Sequence, residues 1–246
     1  MQLAPGVWRV ATAPRDLVNT FVLRDEDGQV TLVDAGTKRA PKVVAAALEQ
    51  IGVHVTDVTR IVVTHAHGDH VGGLGGLRGR TGATVAAHER DAAYLREGRG
   101  PVLDRTTLGG RLLRRSPGVT TPTPVEEELV DGQLLDVAGG LRVLHTPGHT
   151  PGHVSLLHEP SRLLITGDSI WNAFGRMSWP VRMLCTDAAL TRRTAEVLGE
   201  LDYDIVAFTH GPEIRTGARE AVRGFLAARR ERDLARRSRR VTTEDA

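Results

Sequence analysis

Cysteine is nearly missing from the 246 residues: Cys185 stands alone. That excludes an intrachain disulfide and any cysteine-rich zinc site, and it makes a reducing compartment, the cytoplasm, the expected location. No run of about 18 consecutive apolar residues occurs, so no transmembrane helix is expected. Met1-Gln2-Leu3-Ala4-Pro5-Gly6 lacks a basic start leading into an apolar stretch, so no secretory signal is expected. An excess of one charge is lacking as well, since 32 Lys and Arg stand against 30 Asp and Glu. The imbalance is local: residues 215–246 hold 10 basic and 5 acidic side chains, the rest 22 and 25. A near-neutral body argues against a surface devoted to nucleic acid. The Arg-rich end, with no aromatics interleaved as stacking platforms, reads as a solvated helix face. Aromatics are few, four Phe, three Trp and two Tyr, yet three of them, Trp171, Phe174 and Trp179, fall close together.

Composition is otherwise that of an ordinary globular protein, 40% apolar and 25% charged. The length suits one large core. Apolar runs at 7–10, 18–24 and 29–34 around Asp25-Glu26-Asp27-Gly28 predict strands and a hairpin. Val43, Val44, Ala47, Leu48 and Ile51 recur at helical spacing, with Pro41 suited to a first turn. Strands are predicted at 58–64, 84–87, 128–130, 134–137, 141–144, 154–157, 163–165 and 205–209. Helices are predicted at 89–97, 186–201 and 218–237, with 65–76 a loop. Residues 98–124, rich in Gly and Pro, predict a long irregular loop, and residues 236–246 a flexible basic tail. With no repeat and no linker, residues 1–246 read as one α/β domain.

Three histidines fall within six residues, in Thr64-His65-Ala66-His67-Gly68-Asp69-His70. The segment follows a predicted strand. His65 and His67 point the same way on extended backbone, and Gly68 allows the chain to turn before Asp69 and His70. Imidazole and carboxylate are ligands for Zn²⁺ and Fe²⁺. Further candidates are His149, in Thr146-Pro147-Gly148-His149, Asp168, in Ile165-Thr166-Gly167-Asp168, and His210, in Phe208-Thr209-His210-Gly211. Each ends or follows an apolar run and adjoins a glycine, the pattern of polar ligands along one rim of a sheet.

With the His-x-His-x-Asp-His motif, the later His, Asp and His in order, and Asp34 in Val33-Asp34-Ala35-Gly36, the sequence resembles the metallo-β-lactamase-fold superfamily of metallo-hydrolases over roughly residues 7–226, and within it the glyoxalase II-like branch. The resemblance implies a four-layer αββα sandwich of two mixed sheets flanked by helices, with metals at one sheet edge. It implies two divalent ions, zinc first, with iron or manganese as alternatives. His65, His67 and His149 would hold one ion, Asp69, His70 and His210 the other, and Asp168 would bridge them. Asp69 would also orient the attacking hydroxide and carry a proton.

The remaining candidates divide by chemistry. His153 reads as structural or as supporting a ligand, His88 as packed or capping, and His54, His145 and His158 as bystanders. Asp34 reads as an acid that orients a ligand or forms a turn. Cys185 reads as a buried thiol. Trp171 and Phe174 are candidates for an apolar wall beside the metals, with ordinary core as the alternative.

Departures from the family's patterns bear on activity. Its β-lactamases lack an aspartate at the bridging position that Asp168 fills. Its homoserine-lactone lactonases carry tyrosine three residues after that aspartate, where this chain has Trp171. Its glutathione thioesterases have a longer C-terminal region, and its RNA-processing nucleases an inserted arm. The reading is a metal-dependent hydrolase that uses a metal-bridging hydroxide on an ester, thioester, lactone or related bond of a small molecule. A homodimer is compatible with it. The alternative is an iron oxygenase similar to persulfide dioxygenases, using His65, His149 and Asp168 alone.

Overall fold

The computed structural model describes residues 1–104 and 120–244, with side chains of the last helix up to Arg232. Two mixed sheets form the centre. The first has seven strands in sequential order: β1 (Gln2–Ala4), β2 (Val7–Ala11), β3 (Asn19–Arg24), β4 (Val30–Val33), β5 (Val58–Val63), β6 (Thr84–His88) and β7 (Glu127–Leu129). Pairing is antiparallel from β1 to β4 and parallel from β4 to β7. The second has five strands in the order β12-β11-β10-β9-β8. These are β8 (Leu134–Leu135), β9 (Leu141–His145), β10 (Val154–His158), β11 (Leu163–Ile165) and β12 (Ile205–Ala207). Only the β11–β12 pair is parallel there.

Side-chain alternation sorts each strand between two layers. In β4 to β6, Val30, Leu32, Val58, Ile61, Val63, Val85 and Ala87 face a core shared with helices α1 (Ala40–Gln50), α3 (Leu74–Thr81) and α4 (Glu89–Glu97). Their neighbours Val33, Val62 and Ala86 face the second sheet, against Val143, Val154, Leu156, Leu163, Ile165 and Ala207. On the far side of that sheet Leu164, Val206 and Phe208 pack with Leu198, Val222 and Leu226 of the C-terminal segments, including α6 (Ala218–Glu244). Three apolar layers thus separate helices, sheet, sheet and helices, the expected four-layer sandwich.

The predicted hairpin forms between β3 and β4. Three readings change. Residues 65–76 are not all loop: α2 (Gly68–Val71) and the start of α3 occupy most of them. Glycines hide this helical signal because they serve close packing, and a Cβ on Gly73 would lie 2.3 Å from the Ala35 carbonyl oxygen. The helix expected at 186–201 is α5 (Ala188–Thr194), capped by Asp187 Oδ1 on the Ala189 and Leu190 amides, and it tightens into a 3₁₀ turn over Ala195–Gly199. The last helix runs on to Glu244 rather than stopping at Arg237. Of the irregular loop expected at 98–124, residues 105–119 lie outside the described residues. The flanks carry no helix or strand beyond residue 98. No helix among the described residues is long and apolar enough to cross a membrane.

Candidate metal centre

Strand ends build the site. β5 ends at Val63 and delivers His65 and His67, and α2 then turns Asp69 and His70 inward. The turn between β9 and β10 carries His149, β11 leads into Asp168, and β12 leads into His210. The two sheets meet at this rim, where the Val154 amide donates to the Thr64 carbonyl at 2.9 Å.

The seven residues singled out by the motifs converge. His67 Nδ1 and His149 Nε2 are 2.9 Å apart, and the His65 ring lies 4.7 Å from that of His149. His70 Nε2 lies 3.3 Å from His210 Nε2, and Asp69 Oδ2 is 3.5 Å from both. Asp168 sits between the two groups. Its Oδ2 is 3.1 Å from His149 Nε2 and 3.2 Å from His210 Nε2, and its Oδ1 is 3.5 Å from His70 Nε2. Three overlapping sets have their ligand atoms within 4.8 Å of one another: His65, His67 and His149; His65, His70 and Asp168; and Asp69, His70 and His210. Of the seven, Asp69 is the most open, its side chain 41% exposed.

Electrostatics follow from this crowding. Burial and the neighbouring His70 push His65 well below the ordinary histidine range. Burial and His149 push His67 down to about 3. Burial by itself would raise the Asp168 carboxyl, but His210, His70, His149 and His65 outweigh it and hold it well below the carboxylate range. Burial opposes protonation of His70, yet Asp69, Asp168 and Asp34 raise it well above the ordinary value. His210 is raised against burial mainly by Asp168.

Other residues hold these groups in place. Asp34 Oδ1 accepts from the Thr64 amide at 2.8 Å, and its Oδ2 from the Thr64 hydroxyl at 2.8 Å and from His70 Nδ1 at 2.9 Å. Its φ of 64° lies in the left-handed region, which Asp adopts more readily than most residues. His153 lies one layer behind. Its Nε2 accepts from the Asp168 amide at 2.7 Å and its Nδ1 faces the Thr146 carbonyl at 3.0 Å, so both ring nitrogens are engaged. Gly167 stands at φ 52°, and a Cβ there would lie 2.6 Å from His153 Nε2. His88 caps α4, accepting from the Arg90 amide. His210 Nδ1 donates to the Leu17 carbonyl.

The aromatic cluster divides. Trp171 packs its ring 4.6 Å from His210, and its buried Nε1 has no partner. Phe174 is 70% exposed, in a turn closed by the Trp171–Ser178 bridge. Trp179 and Met177 pack into the outer core, Trp179 against Phe225. Contacts of four residues escape the sequence reading. Thr209 donates its hydroxyl to Asp168 Oδ1 at 2.7 Å. Asn19 donates to the Phe208 and Gly211 carbonyls around His210. Cys185, buried as expected, lies with Sγ 3.5 Å from His149 Nδ1. Asp91 joins two of the loops.

Residues 13–210 match the family model described as the metallo-beta-lactamase superfamily. The chain belongs to that superfamily. A probable metallo-hydrolase of Bacillus subtilis, YybB, is 26% identical over 197 residues, covering 80% of this chain and 82% of that protein. A hydroxyacylglutathione hydrolase of Cereibacter sphaeroides is 35% identical over 152 residues, 61% of this chain but only 47% of the relative, and supports the glyoxalase II-like branch. Among solved structures, a metallo-beta-lactamase mutant from Cronobacter sakazakii superposes with a TM-score of 0.74 at 23% identity, covering 97% of both chains. A metallo-beta-lactamase family protein from Thermus thermophilus gives 0.68 at 27% identity, covering 95% of this chain and 83% of the other.

Members of the superfamily depend on metals, and these residues fit such ions. His65 Nε2 and His67 Nε2 are buried without any hydrogen-bond partner. Buried polar atoms rarely stay unpaired. Imidazoles facing carboxylates are a donor set that divalent ions take.

Proposed function

We propose that this superfamily member is a two-metal hydrolase, with zinc the first choice, acting on an ester, thioester, lactone or related bond of a small molecule. The observation that carries the reading is the position of Asp168, whose Oδ2 lies 3.1 Å from His149 of one set and 3.2 Å from His210 of the other, with Oδ1 toward His70. A carboxylate so placed would serve both cations. His65, His67 and His149 would hold one ion, and Asp69, His70 and His210 the other. Bound there, divalent ions supply Lewis acidity, which makes water nucleophilic at neutral pH and polarises a carbonyl oxygen.

The chain's own groups do the rest. Thr209 donates to Oδ1 of the Asp168 carboxylate, and His153 Nε2 accepts from the Asp168 backbone amide, so side chain and backbone are both held. Asp34 fixes the His70 ring so that Nε2 faces the centre. Asp69, half-open to solvent, faces His70 and His210 with Oδ2, which leaves Oδ1 to accept a proton and return it to the leaving group. Trp171 forms an apolar wall beside His210 and narrows the substrates admitted. The relatives named hydroxyacylglutathione hydrolase support an acyl bond as the target. The convergence of Asp69, His70 and His210, which the oxygenase alternative does not use, favours hydrolysis over it.

Metal content per chain, measured by elemental analysis on protein purified without chelator or nickel, tests this. About two zinc, manganese or iron ions per chain are expected, with turnover of one class in a panel of esters, thioesters and lactones. One iron per chain with oxygen consumed alongside a persulfide would overturn the proposal.

A further inference from the structure

Asp91 belongs to no motif, yet it is among the most buried carboxylates in the molecule, 1% exposed, in the first turn of α4. Its side-chain hydrogen bonds among the described residues run to two segments of the centre. Oδ2 accepts from the Ala66 amide at 2.9 Å and from the Thr150 hydroxyl at 2.6 Å, and Oδ1 accepts from the Gly152 amide at 2.6 Å. Ala66 lies between His65 and His67. Thr150 follows His149, and Gly152 closes the same turn. One carboxylate therefore ties the loop bearing two imidazoles to the turn bearing the third. The approach is close: a Cβ on Gly152 would meet the Asp91 amide nitrogen at 2.5 Å and Oδ1 at 2.8 Å. The other half of the centre is held differently, His70 by Asp34 and His210 by the Leu17 carbonyl.

Resting on the two-metal reading, we propose that Asp91 is a positioning residue that sets the spacing of His65, His67 and His149 and so governs the affinity of that half of the centre alone. It acts through backbone and hydroxyl donors of the ligand-bearing segments rather than as a ligand itself. Its oxygens are the acceptors for two buried amides, and those amides sit on the two chain segments whose separation defines the three-histidine set. Remove the shared acceptor and each segment is free to settle independently, while the Asp69, His70 and His210 set keeps its own supports.

Two backgrounds separate the halves. In His210→Ala, Co²⁺ affinity measured against a competing chelator reads the three-histidine half. In His67→Ala it reads the Asp69, His70 and His210 half. Asp91→Asn keeps the size but turns an NH₂ toward at least one buried amide. It is expected to weaken the first affinity by about 10-fold or more, the range for groups that orient ligands, and to leave the second unchanged. Equal weakening of both, as a merely structural role would give, or no weakening of the first, overturns the positioning role and leaves the two-metal reading standing. Failure of the wild type and both backgrounds to bind Co²⁺ overturns that reading, and this one with it. If Asp91→Asn does not fold, Thr150→Val decides. It removes one hydroxyl donor and is expected to weaken the same half by a smaller factor; no change there overturns the proposal.

Discussion

Asp34→Asn is the sharpest probe of how the centre is held. Asn keeps the shape and, like Asp, tolerates the φ of 64° better than most residues with a side chain, so no new backbone strain is added. One oxygen still accepts from the Thr64 amide, and the Thr64 hydroxyl can rotate to meet an NH₂. His70 Nδ1, 2.9 Å away, has no such freedom. Facing an NH₂, it must become an acceptor, which moves the ring proton to Nε2. That nitrogen faces Asp69, Asp168 and His210, where a lone pair is wanted for a metal ion. The loss is one buried charge-assisted hydrogen bond, about 1.5–3 kcal/mol, close to the 10- to 100-fold fall in affinity usual for such partners. Zn²⁺ competition titrations should show the second equivalent weakened by about that factor. Urea unfolding of the metal-free protein should show a smaller change, because with no ion to bind, His70 Nε2 can carry the proton toward Asp69 and Asp168. Wild-type affinity for both equivalents in Asp34→Asn would refute the tautomer argument.

Asp168→Ala is expected to lose both ions and turnover together; elemental analysis that finds full metal content with activity intact removes the bridging role. Trp171→Ala should raise KM for good substrates while metal content stays at the wild-type level, and an unchanged KM across the panel discards the wall. His88 concerns stability. Burial and the His145 ring stacked 3.9 Å away push it down to about 4. The unfolded chain takes up this proton near the ordinary value of about 6.5, so stability falls as pH drops from there toward 4 and levels off below. His88→Asn retains a cap for α4 and should flatten that part of the profile in denaturant titrations at several pH values; an identical profile would show that His88 does not contribute.

What could be read without coordinates was whatever is local. Strands such as Val58–Val63 show themselves as short β-branched runs, and each of His65, His149, Asp168 and His210 follows an apolar run, so the rim was legible as well as the sandwich. The start of α3 was not, because Gly73 and its neighbours serve backbone contacts and erase the helical period. Asp91 was not either. Its partners lie 25, 59 and 61 residues away, and nothing in Glu89-Arg90-Asp91 distinguishes it from a surface acid in a first helical turn. The aromatic cluster at 171–179 was legible as a cluster but not as a division of labour, since only packing separates Trp171 at the rim from Trp179 in the core.

The ligand candidates come from both sheets, His65, His67, Asp69 and His70 from one and His149, Asp168 and His210 from the other. Across much of their area those sheets meet through apolar side chains, which resist separation but are non-directional. Ions at the rim would act as rivets on the seam. On the proposed reading, the same ions that make the protein reactive also lock its two halves in register. Free metal at about 100 times its dissociation constant would add about 2.7 kcal/mol to stability. Chains made in a metal-starved cell would then be idle and also looser, and so more readily cleared by proteases than their loaded counterparts.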